Sequence, residues 1–123
     1  MGPLAGVRVV ELQGIGPGPY CGMMLADMGA EIIRVDRAGS AGQTANKTDI
    51  LARGRKSIAV DLKQAEGVET VLRLVETADV LIEGFRPGVM ARLGLNYDQV
   101  RERAPQIIYC SLSSFGQTGR YRL

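Results

Sequence analysis

Between the first apolar run of the chain and the helical pattern after it stands a turn. It reads "VVELQGIGPGPY" (9–20) and carries Gly14, Gly16 and Gly18 together with Pro17 and Pro19. Glycines between a strand and a helix let backbone amides close on a phosphate, and an acidic residue about 20 positions on takes ribose hydroxyls. Asp36 stands near that spacing. The dinucleotide pattern G-x-G-x-x-G is nevertheless broken, because Pro19 occupies the place of its third glycine. Pro17 and Pro19 also remove two N–H donors from the loop whose amides would hold a pyrophosphate. Arg37, beside Asp36, turns the preference toward a phosphorylated ribose, since a guanidinium fork suits a phosphate dianion. NADP and coenzyme A both carry such a phosphate, and a loop short of donors fits coenzyme A better. A tight βα turn that binds nothing is the plain alternative.

Other residues capable of chemistry are few. The sequence contains no histidine, which removes the commonest general base and the commonest metal ligand. Asp61 and Glu83 fall at the C-terminal ends of expected strands, the edge where α/β sites form. As acid/base groups they compete with the simpler expectation of solvated strand ends. Asp27 and Asp79 read as a helix-end charge and a turn residue. Arg53, Arg55 and Lys56 form a basic cluster that either adds phosphate contacts or is a solvated charge run. Cys21 and Cys110 lie in apolar runs without metal-ligand spacing, which points to buried free thiols in a reducing compartment. No metal site is expected.

These residues need elements to position them. "VRVVEL" (7–12) is an apolar run of buried parallel-strand type. Pro19 suits the first turn of a helix, and Cys21, Met24, Leu25 and Met28 recur at the spacing of a core-facing stripe, with Gly29 placed to end it. Further strands are expected over 31–36, 57–62, 80–84 and 107–113. Residues 38–52 are small and polar, which predicts a mobile loop holding a short turn of helix. Val68, Val71, Leu72 and Val75 predict an amphipathic helix from Gln64 to Ala78. "RPGVMARLG" (86–94) predicts a short helix opened by Pro87 and closed by Gly94, and Asn96 can cap another over 97–103, stopped by Pro105. Strands alternating with helices predict an α/β fold, an open and mainly parallel sheet with flanking helices.

Composition narrows the classes. The 123 residues amount to one domain, 46% apolar and 23% charged, with a net charge of +2 and six aromatics. Such a balance, without a Lys/Arg run, argues against a nucleic-acid partner. No stretch approaches the roughly 18 apolar residues of a membrane span, and the N-terminus lacks the basic and apolar regions of a secretory signal.

Read end to end, the blocks "PLAGVRVVEL", "GPGPYCGMMLADMGAEIIRVDR", "RGRKSIAVDLKQAEG", "ADVLIEGFRPGVMARLGL" and "IIYCSLSSFGQTG" resemble, in this order and spacing, the class III (CaiB/BaiF-type) CoA-transferase family. Within it they look like the N-terminal part of the α-methylacyl-CoA racemases. The turn "GIGPGP" is closer to the racemase branch, because transferases tend to carry a glutamine-containing turn there. The resemblance implies a Rossmann-like large domain. It also implies interconversion of (2R)- and (2S)-2-methylacyl-CoA thioesters by α-proton exchange, with acyl-CoA as substrate and no separate cofactor. A class III CoA transferase is the alternative, as is a non-catalytic CoA-binding module.

The resemblance also assigns residues. Arg37 matches the arginine that meets the adenosine phosphates, and Ala59, Val60, Asp61 and Leu62 match the segment along adenine and ribose. Gly84, Phe85 and Arg92 match positions bordering the adenine and pyrophosphate. Ile15, Gly16 and Pro17 match the turn that approaches the pantetheine arm. The family's acid/base pair, a histidine in a Gly-His-Asp stretch and a later aspartate, has no counterpart in these residues. Residues 1–123 are therefore expected to be an N-terminal CoA-binding α/β domain truncated before the catalytic segment, whose His and Asp lie beyond Leu123. The family further implies an interlocked homodimer when full length. It implies a cytoplasmic location in a bacterium, or a peroxisomal or mitochondrial one in a eukaryote.

Overall fold

The structure, a computed structural model, describes residues 2–39 and 49–122. Among the described residues, nine elements follow one another: β1 (Arg8–Leu12), α1 (Pro17–Asp27), β2 (Glu31–Arg37), β3 (Arg55–Val60), α2 (Ala65–Glu76), β4 (Val80–Glu83), α3 (Val89–Leu93), α4 (Tyr97–Arg103) and β5 (Ile108–Ser111), with a 3₁₀ turn at Ile50–Ala52. Of the loop expected over 38–52, residues 40–48 lie outside the described residues. The 3₁₀ turn is the short helical turn expected within it.

All five strands pair in parallel in the order β3-β2-β1-β4-β5. This is the open parallel α/β sheet expected from alternating strands and helices. The order reverses between β1 and β4, and in such sheets ligands bind beyond the C-terminal strand ends at that point. Right-handed crossovers put α1 on one face and the later helices on the other. Val10, Leu12, Val35 and Leu81 pack with Val71 and Val75 of α2, Met90 of α3, Val100 of α4 and Leu95 between the last two. On the opposite face Val9, Ile32 and Ile82 meet Cys21, Leu25 and Ala26 of α1.

Local signals explain most of the element ends. Asn96 and Gln99 form a reciprocal capping box at the start of α4. Gly94 closes α3 with φ 80°, a left-handed conformation that glycine adopts without strain. Val71 and Val75 are the buried line of α2, with Val68 and Leu72 packed beside them.

Four expectations need correction. Of the stripe expected on α1, Cys21 and Leu25 pack against the sheet, but Met24 and Met28 are exposed, and Gly22 and Met23 are buried in their place. Gly18, Gly22 and Ala26 recur every fourth residue, and this line of small residues lets the helix backbone lie close to the sheet. β3 runs over 55–60 instead of 57–62. It is an edge strand, set by its ladder to β2 from Ile32↔Arg55 to Arg37↔Val60, so burial does not mark its limits. Pro87 precedes α3 instead of opening it, because Gly88 is the cap. The free thiols of Cys21 and Cys110 are half-buried instead of fully buried; burial raises the pKa of Cys21.

Candidate functional site

Two clefts open at the C-terminal edge of the sheet, at the point where the strand order reverses. The first, about 430 Å³, is walled by Gln13–Ile15 after β1, by Val35–Arg37 ending β2, and by Val60 at the end of β3 with Asp61–Lys63 beyond it; Phe85 and Leu93 complete it. The second, about 720 Å³, lies between the turn at Gly16–Pro19, the segment at Gly84–Pro87 and the stretch Leu112–Gly116, with Arg122 at its rim. Gly14, Ile15 and Phe85 belong to both. Ile15 is 94% exposed, so an apolar side chain stands at the lip shared by the two clefts.

Short-range bonds hold these walls. Gln13 donates its N–H to the Val35 carbonyl at 2.9 Å, and its Oε1 accepts from the Arg37 N–H at 2.7 Å. One residue thus ties the glycine turn to the end of β2. Beyond β3, the Asp61 Oδ1 accepts from the Lys63 N–H at 3.0 Å, and the Asp61 carbonyl accepts from the Gln64 N–H at 3.2 Å. Helix α2 sits directly on this turn. A Cβ on Gly67 would lie 2.0 Å from the Asp61 carbonyl oxygen, so only glycine lets the helix approach so closely. Of the first three residues of α1, only Gly18 keeps a backbone N–H, Pro17 and Pro19 having none.

Most residues expected at the site come together here. Ile15, Arg37, Val60, Asp61, Leu62 and Phe85 line the first cleft, and Ile15, Gly16, Pro17, Gly84 and Phe85 line the second. Ala59 is exposed on the edge strand, and Arg92 is exposed on α3; neither lines a cleft among the described residues. Sequence reasoning missed Gln13, Lys63 and Leu93 in the first cleft and Arg86, Ser113, Phe115 and Arg122 in the second. Lys63 could have been found as a cation immediately after the segment Ala59–Leu62. The others are marked by no pattern of their own.

The acidic candidates are differently placed. Asp36, spaced for a ribose, is buried and already engaged. Arg34 Nε lies 2.7 Å from its Oδ1, and the Ser57 hydroxyl donates to its Oδ2. Glu83 is not a solvated strand end. It is buried, with Oε2 accepting from the Phe85 N–H at 2.9 Å and Oε1 from the Ser111 hydroxyl. Ser111 in turn accepts from Gln117 Nε2 at 2.8 Å. Asp61 is exposed at the rim of the first cleft. Asp27 is the expected helix-end charge, bonded to Arg53, which holds its carboxyl below the usual range. Asp79 accepts from the Arg8 N–H in a turn, as expected.

The basic cluster divides: Arg53 and Lys56 are solvated surface charges, each in an ion pair, whereas Arg55 is buried. Arg53 pairs with Asp27 at 2.6 Å, Lys56 with Glu31 at 2.7 Å, and Arg55 with Glu11 at 2.9 Å inside the molecule. Arg55 therefore presents no cation to a phosphate outside. Among the described residues, no group of three or more His, Cys, Asp or Glu could hold a metal ion, and no helix is long and apolar enough to cross a membrane.

Comparison with known proteins gives a consistent result. The family model described as CoA-transferase family III matches residues 4–123. The chain is 52% identical to the mouse (Mus musculus) alpha-methylacyl-CoA racemase over 94% of its own length and 29% of that protein. It is 43% identical to the succinate–glutarate CoA-transferase of Agrobacterium fabrum over 97% of its length and 34% of that one. The chain thus spans about a third or less of the length of these relatives. The crystal structure of a CaiB/BaiF family protein from Brucella suis superposes with a TM-score of 0.88 at 39% identity, covering 98% of this chain and 36% of that one.

Proposed function

The chain belongs to CoA-transferase family III, and we propose that it forms the coenzyme A-binding part of an α-methylacyl-CoA racemase. The observation that carries this reading is the first cleft: an apolar slot of Val60, Leu62 and Phe85 with Arg37 and Lys63 among its lining residues. Such a slot suits a purine whose ribose bears a phosphate, since an aromatic face and aliphatic walls take the base while cations take the dianion. The pantetheine arm then leaves over Ile15 into the second cleft, past Gly16 and Pro17, where few side chains obstruct it. Coenzyme A and NADP both carry a pyrophosphate, so the donor-poor start of α1 does not separate them; membership of CoA-transferase family III is what favours coenzyme A.

The racemase is preferred to the transferase because identity is higher to the former, 52% against 43%. Racemisation removes the α-proton of the thioester and returns one to the opposite face, which takes two acid/base groups and a stabilised enolate oxygen. On this reading that pair is contributed by sequence outside these 123 residues, and the whole protein is a homodimer. Glu83 supports the site indirectly, by fixing Phe85.

Calorimetry tests the binding half: the chain is expected to bind coenzyme A and to prefer it to NADP, and the opposite preference overturns the reading. For the whole protein, α-proton exchange of a 2-methylacyl-CoA with deuterated water is expected, without transfer of coenzyme A from that thioester to a free carboxylic acid. Transfer without exchange would make it a transferase. The 123-residue chain alone is expected to catalyse no exchange, and exchange above the buffer rate would place a base among its own carboxylates.

A further inference from the structure

The start of α1 walls the second cleft, yet among the described residues no side chain caps it. Its N-cap is Gly16, with no side-chain cap and no acidic residue in the first turn. The anchor lies beneath. Arg55 starts β3, two strands away from Glu11 on β1, and its guanidinium reaches across β2 to both carboxylate oxygens, Nε to Oε2 at 2.9 Å and Nη2 to Oε1 at 3.1 Å. The two side chains are 2% and 1% exposed. The same guanidinium donates to the carbonyls of Pro19 in the first turn of α1 and Leu51 in the 3₁₀ turn, and to that of Arg53 at 3.2 Å. Gly22 makes room for it, since a Cβ there would lie 2.6 Å from Arg55 Nη2 and 2.8 Å from Glu11 Oε2.

A buried ion pair is weak evidence for a stabilising role, because desolvation offsets much of the attraction, and apolar replacements of similar volume are often neutral. What the guanidinium supplies that apolar residues cannot is direction, through several donors in a rigid fork. We propose that Arg55 is a positioning residue: held by Glu11, it fixes the Pro19 carbonyl and with it the glycine–proline turn against which the second cleft is formed. This rests on the coenzyme A reading of the two clefts.

The test uses the full chain, two ligands and the double variant Glu11→Met/Arg55→Met. Adenosine 3′,5′-bisphosphate is short enough to occupy the first cleft alone, whereas coenzyme A extends into the second. The double variant is expected to keep the wild-type melting temperature and to bind coenzyme A about tenfold more weakly, a 1.4 kcal/mol change. Its affinity for the bisphosphate should change by less than about twofold, equivalent to 0.4 kcal/mol. Unchanged coenzyme A binding, or equal losses for both ligands, overturns the proposal. Arg55→Lys keeps the pair with Glu11 but not the fork. It is expected to show the same split between ligands in smaller measure, and serves alone if the double variant does not fold. If the wild-type chain binds neither ligand, the coenzyme A reading fails instead.

Discussion

The two faces of the sheet are built from different materials. Under α2, α3 and α4 the buried residues are apolar, from Val10 and Leu81 in the strands to Val71, Val75 and Val100 in the helices, with Glu83 at the C-terminal edge as the exception. Under α1, Val9 and Ile32 share the surface with Glu11, Arg34, Asp36, Arg55 and Ser57, joined in ion pairs and hydrogen bonds. Apolar burial is non-directional and scales with area, so the first face holds its helices without prescribing where each atom sits. Hydrogen-bonded charges lose their favourable energy as distance and angle drift. They therefore define positions, and α1 is the helix whose first turn must be defined because it walls a cleft.

The largest effect should come from breaking the charged face one-sidedly. Arg55→Ala leaves the buried Glu11 carboxylate uncompensated, which is expected to destabilise the fold by about 3–5 kcal/mol in denaturant titration. A loss near that of an exposed pair, below about 1 kcal/mol, would show that water reaches the carboxylate and that the face is not sealed. On the apolar face, Leu81→Ala is expected to cost about 2–5 kcal/mol through lost burial and a residual cavity, with little change in ligand affinity at saturating stability. Weakened coenzyme A binding in that variant would blur the division between the faces. Arg37→Ala, at the cleft, should weaken coenzyme A more than dephospho-coenzyme A by about 1.5–3 kcal/mol in calorimetry. Equal losses would remove Arg37 from phosphate recognition. The smallest effect concerns how the helices start: Asn96→Ala deletes the capping box of α4 and should cost about 1 kcal/mol in thermal unfolding. No measurable cost would mean that the packing of Val100 and the bonds of Arg103 to Glu69 and Glu76 hold that helix, as the Arg55 clasp holds α1.

This contrast also explains what was legible in the sequence. The apolar face announces itself through hydrophobic period, and Val68, Val71, Leu72 and Val75 mark α2 at the right place. The capping residues of α3 and α4 are equally local signals. The charged face has no such period. Its helix is recorded in residue size, Gly18, Gly22 and Ala26, so a search for apolar side chains picked the exposed Met24 and Met28 instead. Arg53, Arg55 and Lys56 read as one cluster because their partners Asp27, Glu11 and Glu31 are distant in sequence. The site was legible as motif blocks, which brought Ile15, Arg37, Val60, Leu62 and Phe85 together. Ala59 and Arg92 came with the blocks but not into the clefts, since a block records neighbours along the chain and a cleft selects by direction. Lys63 was within reach of the same reading, one position past Leu62.

Gly67 lies in the first turn of α2, where alanine would favour the helix by about 1 kcal/mol, and it is held there by contact with the Asp61 carbonyl below. Its identity is thus set by a loop and not by its own helix. For a lineage accumulating substitutions, the two positions are inherited as one: a side chain can enter at 67 only after the stretch from Asp61 to Lys63 has been reshaped. A cleft wall made of exposed, easily varied residues is in this way protected by a residue that never touches what the cleft would hold.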